Sequence, residues 1–140
     1  MCLQTDTGTI VIGKSKDWKQ SIGIGKVNNQ KFTAIPHAEL VNKIKYKAQA
    51  YGIEVVVREE SYTSKASCID LDDIPTYGKV ELPNFSGKRV KRGLYKSAKG
   101  RLLNADVNGS LNIIRKDFGN VLEKGLFDSS CVFQPIRITC

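Results

Sequence analysis

The order strand, helix, strand between Gly8 and Val57 constrains this chain more than any other feature. "GTIVIG" is a short β-branched apolar run bounded by glycines, and it predicts a buried strand. Pro36 opens a helix in which Leu40, Val41, Ile44, Ala48 and Tyr51 form one apolar face, with Lys43, Lys45 and Lys47 mostly outside it. Gly52 is a natural stop, because glycine accepts the left-handed conformation at a helix end. "IEVVV" follows at once as a second strand. Such an order makes a βαβ unit, with a parallel strand pair and a right-handed crossover. The fold class is therefore α/β.

The connection from Lys14 to Ala34 is rich in Lys, Asn, Gln, Gly and Ser and shows no sustained period, so it reads as a long loop with room for a hairpin at "IGIGK". The pattern breaks again from Ser61 to Asn104. "SYTSKAS" leads into the acidic, turn-rich "DLDDIPTYG", and the chain then turns basic in "FSGKRVKRGLYKSAKGR". "KSAKG" signals a hairpin between "GLY" and "RLL". A second helix, Asp106 to about Lys116, restores the apolar period with Val107, Leu111 and Ile114. In the tail, "CVFQPIRIT" would be a strand, but Pro135 restricts it to an edge or extended segment. The segments expected are a βαβ part at 8–60, an inserted region at 61–104, a final helix at 105–117 and a tail at 118–140.

A chain of 140 residues suits one domain. It carries 22 Lys and Arg against 14 Asp and Glu, a formal net charge of +8, which predicts attraction to polyanions. No apolar run approaches the roughly 20 residues that span a bilayer, and the N-terminus lacks the pattern of a secretion signal. No membrane partner is expected, and the expected location is cytoplasmic. Cys2, Cys68, Cys131 and Cys140 form no C-x-x-C pair, which favours free thiols over a metal site or disulfide framework.

The carboxylates at the ends of apolar elements carry the strongest hint of chemistry. Glu59 and Glu60 follow "VVV", and Asp106 begins a helix expected to pack on the same sheet. In parallel α/β sheets, ligands collect at the carboxyl ends of strands. Acidic residues converging there can hold Mg²⁺, which takes one or two carboxylates and a substrate phosphate. The alternative is equally simple. Asp106 suits a helix cap beside the positive end of the dipole, and a glutamate after a strand is ordinarily solvated. His37, at a helix start, fits a capping or surface role better than catalysis, and Ser61, Ser64, Lys65 and Arg115 fit polar turn roles as well as contact with phosphate.

"NADVNGSLNIIRK" resembles the last motif of the TnpB (OrfB) family, transposon-encoded proteins related to type V CRISPR effectors and described as RNA-guided DNA nucleases. "GTIVIG", "YKAQAYGIEVVV" and "SYTSKAS" are similar to three further family segments, in the same order. The likeness runs from about Gly8 to Lys116. It implies a partial RNase H-like (RuvC-like) fold with an inserted basic hairpin, and it implies that Asp106 is the final catalytic carboxylate. Where the family's middle glutamate ends the first strand, this chain has Gly13. Either Glu60 (alternatively Glu59) supplies that ligand from the neighbouring strand, or the site is inactive. The cofactor implied is Mg²⁺ or Mn²⁺.

Two further departures from the family shape the expectation. Relatives commonly carry two C-x-x-C pairs, a zinc ribbon, in the inserted segment. Here Ser67 stands near the first cysteine and "YKSAKG" replaces the second pair, so no zinc is expected, and either Leu94, Tyr95 and Leu102 hold the insert together or it is ordered only on nucleic acid. Its basic residues, Lys65, Lys88, Arg89, Lys91 and Arg92, then Lys96, Lys99 and Arg101, would meet phosphates, with Phe85 or Tyr95 stacking on a base. The family's first aspartate lies on an early "DxG" strand, which Asp6 in "QTDTG" does not match. The expectation is thus the C-terminal part of a family member, inactive by itself, with DNA, a guide RNA and the missing N-terminal part as partners. In a bacterium it would join the nucleoid when bound to DNA. A basic binding module without catalysis is the competing expectation.

Overall fold

The computed structural model describes residues 2–15, 36–79, 81–119 and 133. The loop expected from Lys14 to Ala34 and the tail strand around Pro135 fall almost wholly outside them. Contacts divide the chain into two units, Met1–Arg58 and Glu59–Cys140.

The first unit contains β1 (Thr9–Lys14), α1 (His37–Gln49) and most of β2 (Glu54–Glu59). β1 and β2 form a two-stranded sheet, and the Glu54 amide donates to the Gly8 carbonyl at 3.0 Å. The residue before β1 thus sits beside the first residue of β2, so the strands run parallel, as the βαβ pattern predicts. α1 ends as expected: the Tyr51 and Ile53 amides both donate to the Ala48 carbonyl, and Gly52 takes φ +68°. Its inward stripe differs from the sequence reading. His37, Val41 and Ile44 are half-buried and Ala48 is buried, whereas Leu40 is 51% exposed and Tyr51 63%. At 100° per residue, positions 37, 41, 44 and 48 share one face, and Leu40 and Tyr51 lie on its margin.

The second unit is built on a three-stranded antiparallel sheet in the order β3 (Lys88–Lys91), β4 (Leu94–Lys96), β5 (Leu102–Asn104). "KSAKG" makes the expected hairpin, with the Ser97 amide donating to the Arg101 carbonyl at 2.9 Å and Gly100 at φ +79°. β3 adds a third strand to that hairpin, with a bulge between Arg89 and Lys91. α2 (Ala105–Phe118) leaves β5 directly and packs on the sheet. Cys68, Tyr95, Leu103, Ala105 and Leu111 form the core, with Ile69, Val107 and Phe133 packed against it.

Three expectations change here. Leu103 is buried and Leu102 is 54% exposed, because Leu103 pairs with Tyr95 on the core face while Leu102 pairs with Lys96 on the other. The cap of α2 is Asn104, whose Oδ1 accepts from the Asp106 and Val107 amides at 2.8 and 3.1 Å. Asp106 is therefore the second residue of the helix, and its side chain is 87% exposed. Among the described residues, no helix is long and apolar enough to cross a membrane.

Candidate nucleic-acid interface and carboxylate site

The deepest residues of α2 are polar. Asn108 and Asn112 are wholly buried and Arg115 nearly so, at a spacing that places all three on the face they share with Leu111. Asn108 accepts from the Cys68 amide at 3.0 Å and donates to the Ala66 carbonyl at 2.8 Å. Asn112 donates to the carbonyls of Thr63 and Ala66, at 2.9 and 2.7 Å. Arg115 reaches the Asn112 side chain at 2.8 Å and the Asp72 carbonyl at 3.0 Å. One helix face thus satisfies the backbone of the irregular segment 63–72, which has no ladder of its own. Arg115 is an internal clamp and not a phosphate contact.

A second set of bonds ties that segment to the sheet. Asp70 Oδ2 accepts from the Ser67 hydroxyl (2.6 Å), the Ala98 amide (2.8 Å) and the Ser86 hydroxyl (3.3 Å). Asp72 Oδ2 accepts from the Ser67 and Ser86 amides at 2.8 and 3.0 Å. Burial pushes the Asp70 carboxyl up, but the Ser67, Ala98 and Ser86 bonds and the Lys99 charge outweigh it and hold the group below the ordinary carboxylate range. This hub joins Ser67 to the "YKSAKG" turn, the two places where the family resemblance puts thiolate pairs. Cys68 lies in the core beneath, its thiol pushed up to about 11 by burial, so it stays protonated at neutral pH.

The expected catalytic carboxylates sit at the edges of this framework. Glu59 is held by Lys116 at 2.7 Å and by the Ser61 amide at 2.8 Å. Burial raises its pKa, and these partners more than reverse the effect, leaving it lowered. Glu60 offers its carbonyl to the amide and hydroxyl of Thr63, at 3.2 and 2.8 Å. Its half-buried carboxylate makes no hydrogen bond or ion pair among the described residues. Asp106 lies 3.9 Å from Arg89, an exposed pair of small energetic weight. Among the described residues, no three His, Cys, Asp or Glu side chains cluster as a metal-binding group. Asp106 and Glu60 are carboxylates, the chemical type that a hard cation takes as ligand.

The expected basic residues are exposed, and strand alternation divides them: Arg89 pairs with Tyr95 on the core side, and Lys88 with Lys96 on the other. All four residues of β3 are exposed, as are Lys65, Arg92, Lys96, Lys99 and Arg101. Lys88 stands directly opposite Lys96, in a row with exposed Leu102, on the face turned away from the core. Like charges opposed across a ladder are destabilising, so this face is suited to a polyanion. Arg101 lies over the Phe133 ring at 5.5 Å. Tyr95 is corrected from the expected base-stacking role. Its ring is wholly buried, its hydroxyl donates to the Lys65 carbonyl at 2.8 Å, and burial with the Asp72 and Asp70 charges pushes its pKa up to about 12. A side chain at Gly87 would collide with this ring, 2.6 Å from its hydroxyl.

Sequence reading passed over the asparagine stripe and the aspartate hub. The stripe had a signal: Asn108, Asn112 and Arg115 recur at helical spacing beside Leu111. The hub had almost none, because its partners lie up to 28 residues apart.

Comparison with known proteins bears on this geometry. The family model described as Cas12f1-like, TNB domain matches residues 37–113. The TnpB-like protein ORF457 of Acidianus two-tailed virus is 34% identical over 89 residues, which are 64% of this chain. The matched stretch spans 17% of that viral protein's length.

Proposed function

The chain belongs to the TnpB (OrfB) family through a Cas12f1-like TNB domain, and from that premise we propose that it is the nucleic-acid-gripping part of a transposon-associated, RNA-guided DNA endonuclease. The observation that carries this reading is β3, a strand exposed at every residue, with Lys88 opposed to Lys96 and no acidic residue in either strand. The lysines of that face would neutralise the phosphates of a nucleic acid laid on it and release the cations condensed on them. DNA and a guide RNA are the partners of this reading, together with a polypeptide supplying the rest of an RNase H-like site.

Asp106 and Glu60 are the carboxylates this chain would contribute to a Mg²⁺ or Mn²⁺ site. A cation held there would polarise the phosphodiester and lower the pKa of an attacking water. Asp106 suits the role by its exposure, and Glu60 by a carboxylate that no lysine or amide among the described residues already occupies. One observation favours a second reading, a binding module without catalysis. β1 ends in "IGK", so Gly13 offers no side-chain ligand there.

Asp106→Ala separates the two readings. In a Mg²⁺-dependent cleavage assay on DNA, the nuclease reading predicts loss of cleavage with oligonucleotide affinity unchanged. Cleavage that persists in the variant contradicts a catalytic Asp106. An unaltered protein that binds but does not cut, even with the polypeptide that supplies the rest of the site present, supports the module.

A further inference from the structure

Three aromatic rings cluster on the second unit, among them Phe85, the other residue expected to stack on a base. The Tyr62 and Tyr77 rings lie 6.5 Å apart between centroids with planes 21° from parallel, and Phe85 lies 5.9 Å from Tyr62. Tyr77 is 62% exposed, while Tyr62 and Phe85 are half-buried. Two rings thus anchor the cluster and the third stands open to solvent.

The base of the cluster is held rigidly. Tyr62 takes φ +66°, a left-handed conformation unfavourable for a bulky residue, and its carbonyl accepts from the Lys65 and Ala66 amides at 2.9 and 3.0 Å. Phe85 precedes Ser86, which the Asp72 carboxylate fixes, and Gly87, which packs on Tyr95. Lysines surround the rings in sequence: Lys65 is in the Tyr62 turn, Lys79 follows Tyr77 by two residues, and Lys88 follows Phe85 by three. Of the acids in the same stretch, Asp70 and Asp72 are occupied by hydrogen bonds to the fold, leaving Asp73 and Glu81 exposed.

We propose that Tyr77, backed by Tyr62 and Phe85, is a stacking platform for an unpaired nucleobase of single-stranded DNA or RNA, with the adjoining phosphates meeting Lys65 and Lys88. This rests on the nucleic-acid reading and extends it. The lysine face grips phosphates without regard to base, and the platform requires a base free of its partner strand. Stacking of this kind tolerates any sequence, because every base has a π-face.

The test measures fluorescence anisotropy of a labelled single-stranded oligonucleotide beside one of equal length and charge carrying abasic residues, in deoxyribo and ribo forms. The unaltered protein is expected to prefer the base-bearing strand about tenfold. Tyr77→Ala abolishes that preference and Tyr77→Trp keeps it, while Lys88→Glu weakens both strands alike. A preference confined to one sugar assigns the platform to that nucleic acid. Equal affinity of the unaltered protein for base-bearing and abasic strands overturns the platform and leaves the phosphate grip standing. Binding of neither strand overturns both. The abasic comparison uses the unaltered protein, so it holds whatever Tyr77→Ala does to folding.

Discussion

Asn112 shows how a polar residue of a motif can be structural. Its side chain is wholly buried and meets two backbone carbonyls and Arg115, and no other described donor replaces it at Thr63. Asn112→Ala leaves the Thr63 carbonyl unsatisfied and takes one partner from Arg115, while Ala66 keeps its bond from Asn108, and should destabilise the fold by about 2 kcal/mol. Asp106, six residues earlier and 87% exposed, should tolerate alanine within about 0.5 kcal/mol. Urea unfolding of the two variants checks both figures. Equal losses would contradict this division of labour within α2. Asp106 was legible in the sequence through its motif, but its surroundings were not. An aspartate beside "LLNA" looks as if it borders a core, yet the alternation of β5 and the Asn104 cap turn it outward.

At the scale of elements, βαβ and the 97–101 hairpin were readable because each is local: a period of two, a period of 3.6, and a glycine at a forced turn. The third strand β3 was not, because a run as charged as "KRVK" has no apolar face to betray it. The closure of the insert was hidden too, since hydrogen bonds between Ser67, Asp70, Ser86 and Ala98 leave no spacing rule. That closure has a pH consequence. Asp70 is held below its unfolded value, which is about 4, so its contribution is complete above that pH and is lost as pH falls through the folded value. Thermal melting of the unaltered protein should therefore fall off below about pH 4, with Asp70→Asn less stable at pH 7 and less sensitive to acid. Because the hub uses carboxylates and hydroxyls, a chelator such as EDTA should leave the melting temperature at pH 7 unchanged. A drop on chelation would instead identify a metal as the staple.

For the whole molecule, charge distribution connects fold to function. The excess of +8 was plain from composition, but composition could not say where it collects. The sheet of the second unit collects it: the core side takes Tyr95 and Leu103, and the opposite side is left with Lys88, Lys96 and Leu102. Tyr95 illustrates the limit of reading composition. An aromatic among lysines suggests stacking on a base, and only the strand register reveals that this ring points into the core.

The most direct measurement is the salt dependence of single-stranded DNA binding by the unaltered protein and by the Lys88→Glu/Lys96→Glu variant. Each phosphate contact contributes a slope of about −0.7 in log K against log salt on single strands, so two lost contacts should flatten the slope by about 1.4 and weaken binding at low salt. Unchanged affinity and slope in the variant would contradict the assignment of this sheet face as the nucleic-acid grip.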